Sequence, residues 1–239
     1  ALHAAVASHR PLVLLYVHDE ETPGLRPMGG ASKWWLDKSL RALAASIRQA
    51  GAQLTLRSGG SEDVLNAVIE ETGAHVVFWN RRYDKAERPL DAHLKDALTT
   101  RGIDVSSYNA RLLNEPWQVE TNAGGYYKVF TPYWRAARSN FHARTTYGRQ
   151  TKLSGPRLDS EALDDWGLHP SSPDWSTGFA DWTPGEDDAI ARLEDFLDGP
   201  IKGYKADRNR PDLDTSTSGL SPHLRFGEIG PLQIWRAVH

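Results

Sequence analysis

The chain has 239 residues, 39% of them hydrophobic and 25% charged, and a formal net charge of −3, which is an ordinary globular composition. It contains no Cys, which excludes a disulfide framework, a thiolate zinc site, an iron–sulfur cluster and a Cys nucleophile. The longest apolar run, residues 11–17, is far shorter than the ~20 residues of a membrane-spanning helix, so we expect no membrane span.

Strand and helix patterns alternate through the first 108 residues. This alternation predicts an α/β domain with a parallel, doubly wound sheet, and ligand sites beyond the carboxyl ends of its strands. Such a sheet usually has five or more strands, so with four we expect a Rossmann-like domain that lacks a strand before Ala1. The predicted strands are 11–17, 53–57, 74–79 and 103–108, and the predicted helices are 31–50, a segment from Ser61 to Gly73, and a segment from Pro89 to Gly102.

Helical patterns return in the second half of the chain. We expect a helix from Tyr133 to His142, a second helix that opens at residues 184–188 and runs through Leu197, and a third over residues 232–238. Residues 151–185 contain scattered Trp, which favours an ordered connector. We therefore divide the chain into an α/β domain (1–130), a helix with connector (131–184) and the start of an all-helical domain (185–239).

Standard nucleotide and metal motifs are absent. No G-x-G-x-x-G follows a predicted strand, and no G-x-x-x-x-G-K-[ST] occurs. The nine His residues show no metal-ligand spacing. Only residues 101–150 carry a basic surplus, seven bases against three acids, which is a weak signal for nucleic-acid binding.

The densest hydroxyl cluster of the chain is Thr215-Ser-Thr-Ser-Gly-Leu-Ser221, which leads into a helical stretch. Hydroxyls and free N–H groups at such a place either cap the helix or bind a phosphate. From these residues alone both alternatives stay open.

Four motifs together resemble the DNA photolyases and cryptochromes. The most specific resembles the family's first flavin-binding motif and consists of Tyr204-Lys-x-x-Arg208 followed by Thr217-Ser-Gly-Leu-Ser-Pro-His-Leu-Arg-Phe-Gly-Glu-Ile229. The other three resemble, in the same order, the family's antenna-domain helix, its passage from strand to helix and its connector, at residues 29–36, 127–134 and 182–186.

The resemblance implies that FAD is bound in the helical domain. The positions that match contacts to its phosphates and ribityl chain are Tyr204, Thr217, Ser218, the Leu220 backbone and Ser221. Two positions depart from the family pattern: Ser216 stands where Gly is common and Gly219 where Arg is common. Gly219 removes a side-chain contact and leaves the backbone contacts.

The resemblance is closest to bacterial members that repair cyclobutane pyrimidine dimers, so it implies a carbon–carbon lyase driven by light and reduced FAD. The implied partner is UV-damaged DNA, and we expect a cytoplasmic protein that is a monomer at full length. We expect the catalytic residues beyond residue 239, and expect residues 1–239 alone to be inactive. No metal is implied.

The resemblance also implies an antenna chromophore in the first domain, either methenyltetrahydrofolate or a deazaflavin. Folate-using members have a polar Asn/Glu pair before the Tyr-Lys-Val-Phe motif, where this chain has Gly124-Gly125. An alternative function is a cryptochrome-type blue-light receptor without repair activity. A third alternative, a nucleotide-binding module of the universal-stress or electron-transfer-flavoprotein type, is disfavoured by residues 204–229.

Overall fold

The computed structural model describes residues 1–213 and 215–239, in which the predicted alternation of strands and helices is confirmed. The strands are β1 (Leu14–His18), β2 (Leu54–Ser58), β3 (Val76–Asn80) and β4 (Asp104–Tyr108). The helices are α1 (Leu2–Ala7), α2 (Gly30–Gln49), α3 (Ser61–Thr72), α4 (Glu87–Thr100), α5 (Phe130–Ser139), α6 (Glu186–Asp198), α7 (Tyr204–Asp207), α8 (Ser221–Phe226) and α9 (Pro231–Val238). Short 3₁₀ turns lie at Pro116–Gln118, Leu163–Trp166, Ser176–Phe179 and Pro200–Lys202.

The strands pair in parallel, as the alternation with helices predicts. β1 pairs with β2, with Leu14 opposite Leu54, and β3 pairs with β4, with Val76 opposite Asp104. Each pair is joined by one crossover helix, α2 or α4, because parallel neighbours need a long connection. No backbone ladder joins β1 to β3 within the described residues, so the strands predicted for one sheet form two parallel pairs.

Two helices begin before the proline that sequence analysis places near their start. α4 begins at Glu87 and has Pro89 as its third residue. α5 spans Phe130–Ser139, three residues earlier than the predicted segment from Tyr133 to His142, and Pro132 is its third residue. The N–H groups of the first helical turn have no intrahelical acceptor, so a proline is tolerated anywhere in that turn.

The amino-terminal residues form α1, a helix that the sequence analysis does not predict. It packs on β3, and the Ala1 ammonium donates a hydrogen bond to Asn80 Oδ1 at 3.2 Å. Ala5 is its buried residue. A helix of six residues is too short for its apolar spacing to be recognised, and its stability comes from this packing.

The connector runs along the free edge of β2. The Leu56 N–H donates to Ser160 Oγ at 2.9 Å, and the Ser58 N–H donates to a Glu161 carboxylate oxygen at 2.9 Å. In return, the Glu161 N–H donates to the Leu56 carbonyl at 3.0 Å. The connector is therefore ordered by hydrogen bonds to the sheet, in agreement with the inference from its Trp content.

Separate apolar clusters support the two regions. The cluster around α6 includes Leu220 and therefore fixes the position of the hydroxyl-rich segment, residues 215–221. Within the described residues, no helix has the length and apolar character needed to cross a membrane. The clusters are Ile69, Leu98 and Ile103 between α3, α4 and β4; Leu36, Leu40 and Leu168 between α2 and the connector; and Ala189, Leu193, Leu220 and Ile229 around α6.

Candidate cofactor-binding site

The hydroxyl-rich segment 215–221 is a surface turn that is fixed from below. Ser216 is buried and its hydroxyl donates to a main-chain carbonyl at 3.0 Å. Leu220 is only 3% exposed, because its side chain packs on α6. Between and beside these anchors Ser218 is half-buried, while Thr217 and Ser221 are exposed. The turn therefore has a fixed backbone and accessible hydroxyl groups.

These hydroxyls do not cap α8. Its N-cap residue is Leu220, and no side chain makes the capping hydrogen bond in the described structure. The Leu220 N–H donates to Ser218 Oγ over a long 3.4 Å. The hydroxyls of Thr217 and Ser221 have no hydrogen-bond partner among residues 1–213 and 215–239. Of the two alternatives for the cluster, capping is not observed, and phosphate binding stays a prediction.

Tyr204, the first residue of α7, packs against α6, the helix that also supports the turn. Its ring packs edge-on against Phe196 of α6, with 5.6 Å between ring centroids, and the Arg208 guanidinium lies 5.9 Å from its centroid. Leu193, which contacts Leu220, lies three residues before Phe196, a rise of about 4.5 Å along the helix. α6 therefore carries both Tyr204 and the turn, although no hydrogen bond joins them among the described residues.

Gly219 brings the turn against a side chain that sequence analysis did not identify. Its φ is +63°, in the left-handed region, and a Cβ there would lie 3.3 Å from Arg192 Nη1 and 3.6 Å from the Trp182 ring. The Arg192 guanidinium stacks 4.4 Å from the centroid of that ring. The absence of a side chain at position 219 thus allows Arg192 of α6 to approach the turn closely.

A buried polar network behind the turn was also missed. His223 of α8 is fully buried, and its Nδ1 lies 2.6 Å from a Glu228 carboxylate oxygen. Trp35 Nε1 of α2 donates to the other Glu228 oxygen at 3.2 Å, and His223 Nε2 lies 3.4 Å from Asp188 without hydrogen-bond geometry. Charges buried in this way need partners, and the partners here come from three helices. The network therefore joins the α/β domain to the helical region.

Two features lie in or beside the first domain, which is expected to hold an antenna chromophore. Gly124 and Gly125 lie in an exposed turn, with φ values of +82° and +81°. A cavity of about 260 Å³ lies between α5 and α9, with Arg111 and Arg138 on its walls. Its aromatic lining consists of Tyr133, Trp134, Phe141 and Trp235.

The basic surplus of residues 101–150 is partly used inside the molecule. Arg144 donates to the main-chain carbonyls of Asn109 and Leu112 at 2.8 and 2.7 Å. Arg149 pairs with Asp187, and the hydrogen bond raises the pKa of Arg149 above its ordinary value. No group of three or more His, Asp or Glu side chains in the described part of the chain is arranged to hold a metal ion.

Comparison with known proteins finds similarity to photolyases and cryptochromes in sequence and in structure. The family profile "DNA photolyase" matches residues 1–152. A deoxyribodipyrimidine photo-lyase of Agrobacterium fabrum is 43% identical over 241 residues, covering 100% of this chain and 50% of that protein. Cryptochrome-1 of Arabidopsis thaliana is 34% identical over 247 residues, covering 100% of this chain and 35% of that protein. A crystal structure of a bacterial class III photolyase from Agrobacterium tumefaciens superposes with a TM-score of 0.93 at 42% identity, covering 99% of this chain and 49% of that chain. The chain thus spans about half the length of the first relative.

Proposed function

The chain belongs to the DNA photolyase family, and on this premise we propose that it acts in the light-driven repair of cyclobutane pyrimidine dimers with FAD as its cofactor. The observation that carries the proposal is that the Thr217 and Ser221 hydroxyls, on a turn whose backbone is fixed, have no hydrogen-bond partner among the described residues. The photolyase relative is also more similar to the chain than the cryptochrome relative.

The described turn fits the diphosphate part of FAD. A diphosphate needs several donors that converge on it, and hydroxyl groups supply donors without burying an unpaired ammonium group. Thr217 and Ser221 offer such donors, and packing of Leu220 on α6 keeps them in place. Tyr204 is proposed to contact the same cofactor from α7.

Bound and reduced FAD, when excited by light, supplies an electron that opens the cyclobutane ring and is then returned. The residues of this chain would bind and orient that group, since the described site offers hydrogen-bond donors and no acid, base or nucleophile positioned for the reaction. We propose UV-damaged DNA as the partner; two adjacent pyrimidines joined in a dimer pair and stack weakly, so they are flipped from the duplex at a lower cost than intact bases. We also propose that the full-length protein is cytoplasmic and monomeric.

We further propose that an antenna chromophore of the folate or deazaflavin class binds at the border of the first domain, where residues 111–114 line a cavity together with α5 and α9. The aromatic cavity between α5 and α9 offers flat surfaces for a planar ring system, and Arg111 and Arg138 suit a carboxylate or phosphate group. Mass spectrometry of the chromophore released from the complete gene product distinguishes the two classes. If Trp134→Ala retains the chromophore in full, this placement is wrong.

The FAD site is tested by removing the hydroxyls of Thr217 and Ser221 in the complete gene product. The double variant Thr217→Val with Ser221→Ala should bind FAD at least roughly tenfold more weakly, because each lost hydrogen bond to a charged group contributes about 1.5–3 kcal/mol. Its unfolding free energy should stay the same, since neither hydroxyl has an intramolecular partner among the described residues. Ser216→Ala is the matched control, because its hydroxyl is bonded within the protein. Unchanged FAD affinity in the double variant would contradict the proposed site.

The second candidate function, a cryptochrome-type light receptor, is kept because the plant cryptochrome matches the full chain at 34% identity. Illumination of the complete gene product with dimer-containing DNA separates the two functions. We expect recovery of intact pyrimidines in the light and none in the dark. A flavin-loaded protein that restores no dimers would favour the receptor.

A further inference from the structure

Arg192 presents an unused donor to the hydroxyl-rich turn. Its Nε donates to Asp188 at 2.9 Å, and its Nη2 donates to the Asp181 carbonyl at 2.9 Å. The remaining nitrogen, Nη1, has no hydrogen-bond partner among the described residues, and it is the atom nearest to the missing Cβ of Gly219, at 3.3 Å. Both used nitrogens and the stack on Trp182 hold the guanidinium in one orientation.

The turn has no cationic side chain at position 219, and Arg192 lies directly beside that position. Position 219 carries no side chain, and its left-handed φ of +63° together with the proximity of Arg192 disfavours one. A cation that could accompany a phosphate on this turn therefore has to come from another element. Arg192 of α6 is placed to supply it.

We propose that Arg192 binds the diphosphate of the flavin dinucleotide through Nη1; this inference rests on the proposed FAD site. A guanidinium is the side chain best suited to phosphate oxygens, because it remains charged and offers donors in a fixed plane. Asp188 pairs with the guanidinium at Nε. A diphosphate, which carries more than one negative charge, would bind the same guanidinium at Nη1. Arg192 thus completes the set of donors begun by Thr217 and Ser221.

A purely structural role for Arg192 makes a different prediction. In that case its loss would disturb the turn and weaken every flavin alike. If Arg192 contacts the diphosphate, its loss should weaken FAD and leave riboflavin, which has no phosphate, unaffected. The ratio of the two affinities therefore separates binding from support.

The experiment measures the dissociation constants of FAD and riboflavin for the flavin-free complete gene product. Arg192→Gln should weaken FAD roughly 10- to 100-fold, the range of one or two charge-assisted hydrogen bonds, with riboflavin affinity unchanged. Arg192→Lys should recover part of the loss, because it restores the charge without the planar fork. Arg41→Gln is the matched control, since Arg41 also pairs with an Asp four residues before it and lies on α2.

Each outcome decides a separate claim. Equal losses of FAD and riboflavin in Arg192→Gln, or no loss of either, would overturn the role of Arg192 while leaving the flavin site standing. A wild-type gene product that binds no FAD would overturn both this inference and the proposed function.

Discussion

Replacement of Gly219 by Ala tests how closely the turn approaches α6. An alanine at φ +63° costs about 1–2 kcal/mol of unfolding free energy, because its Cβ crowds the backbone in the left-handed region. The new Cβ also lies 3.3 Å from Arg192 Nη1, so the guanidinium must move by a few tenths of an ångström, which weakens a stack on Trp182 that contributes at most about 0.5–1 kcal/mol. We therefore expect Gly219→Ala to lower the unfolding free energy by more than the strain energy alone, up to about 3 kcal/mol.

Gly227→Ala provides the matched control, because Gly227 has a φ of +76° and no atom within 4 Å of its absent Cβ. It should lose only the strain energy, about 1–2 kcal/mol. Urea unfolding of both variants, with FAD titration of each folded protein, gives the two quantities needed. We expect weaker FAD binding only in Gly219→Ala. Equal stability losses in the two variants, with FAD affinity unchanged in both, would refute the close contact between the turn and Arg192.

Two further predictions concern the rest of the fold. Burial by itself would raise the pKa of Asp19, but hydrogen bonds from Ser61 and Thr22 lower this pKa to about 2. The ionised Asp19 therefore stabilises the fold fully above its unfolded-state pKa of about 4, and this stabilisation is lost as the pH falls towards 2. The unfolding free energy, measured as a function of pH, should therefore fall less between pH 4 and 2 in Asp19→Asn than in wild type. Identical pH profiles of the two proteins would contradict this assignment. Trp35→Phe should cost about 1.5–3 kcal/mol beyond the ring contraction, because it removes the donor to one oxygen of the buried Glu228 carboxylate and leaves only the His223 contact to the other oxygen. Trp34→Phe is its control in urea unfolding, since the Trp34 indole is equally buried and makes no hydrogen bond to a described residue; equal losses would show that the hydrogen bond is unimportant.

Sequence patterns located the strands and helices because their signals are local. Gly73, for example, was expected to end α3 and adopts the left-handed conformation there, with φ +63°. The start of β1 was less predictable: the apolar run begins at Pro11, whereas the strand begins at Leu14. Leu12 instead donates its N–H to Ser154 of the connector at 2.9 Å, a partner more than 140 residues away. Such boundaries depend on tertiary contacts that no local window contains.

The same distinction applies to the candidate site. Thr217 and Ser221 could be named from the sequence because a contiguous motif carries them. Arg192 and His223 could not, since the first looks like one of many helical charges and the second like a surface residue of a polar segment. Their roles arise from contacts between α6, α8 and α2, such as the Trp35 bond to Glu228, which spans 193 residues.

The connector also covers a strand edge of the α/β domain. β2 has an outer edge whose N–H groups, at Leu56 and Ser58, are bonded to Ser160 and Glu161 of the connector. A shortened protein ending at residue 130 would leave that edge bare, and a bare strand edge is a template for pairing between molecules. Changes in this stretch should therefore show first as aggregation and poor recovery of soluble protein, before any effect on the proposed activity.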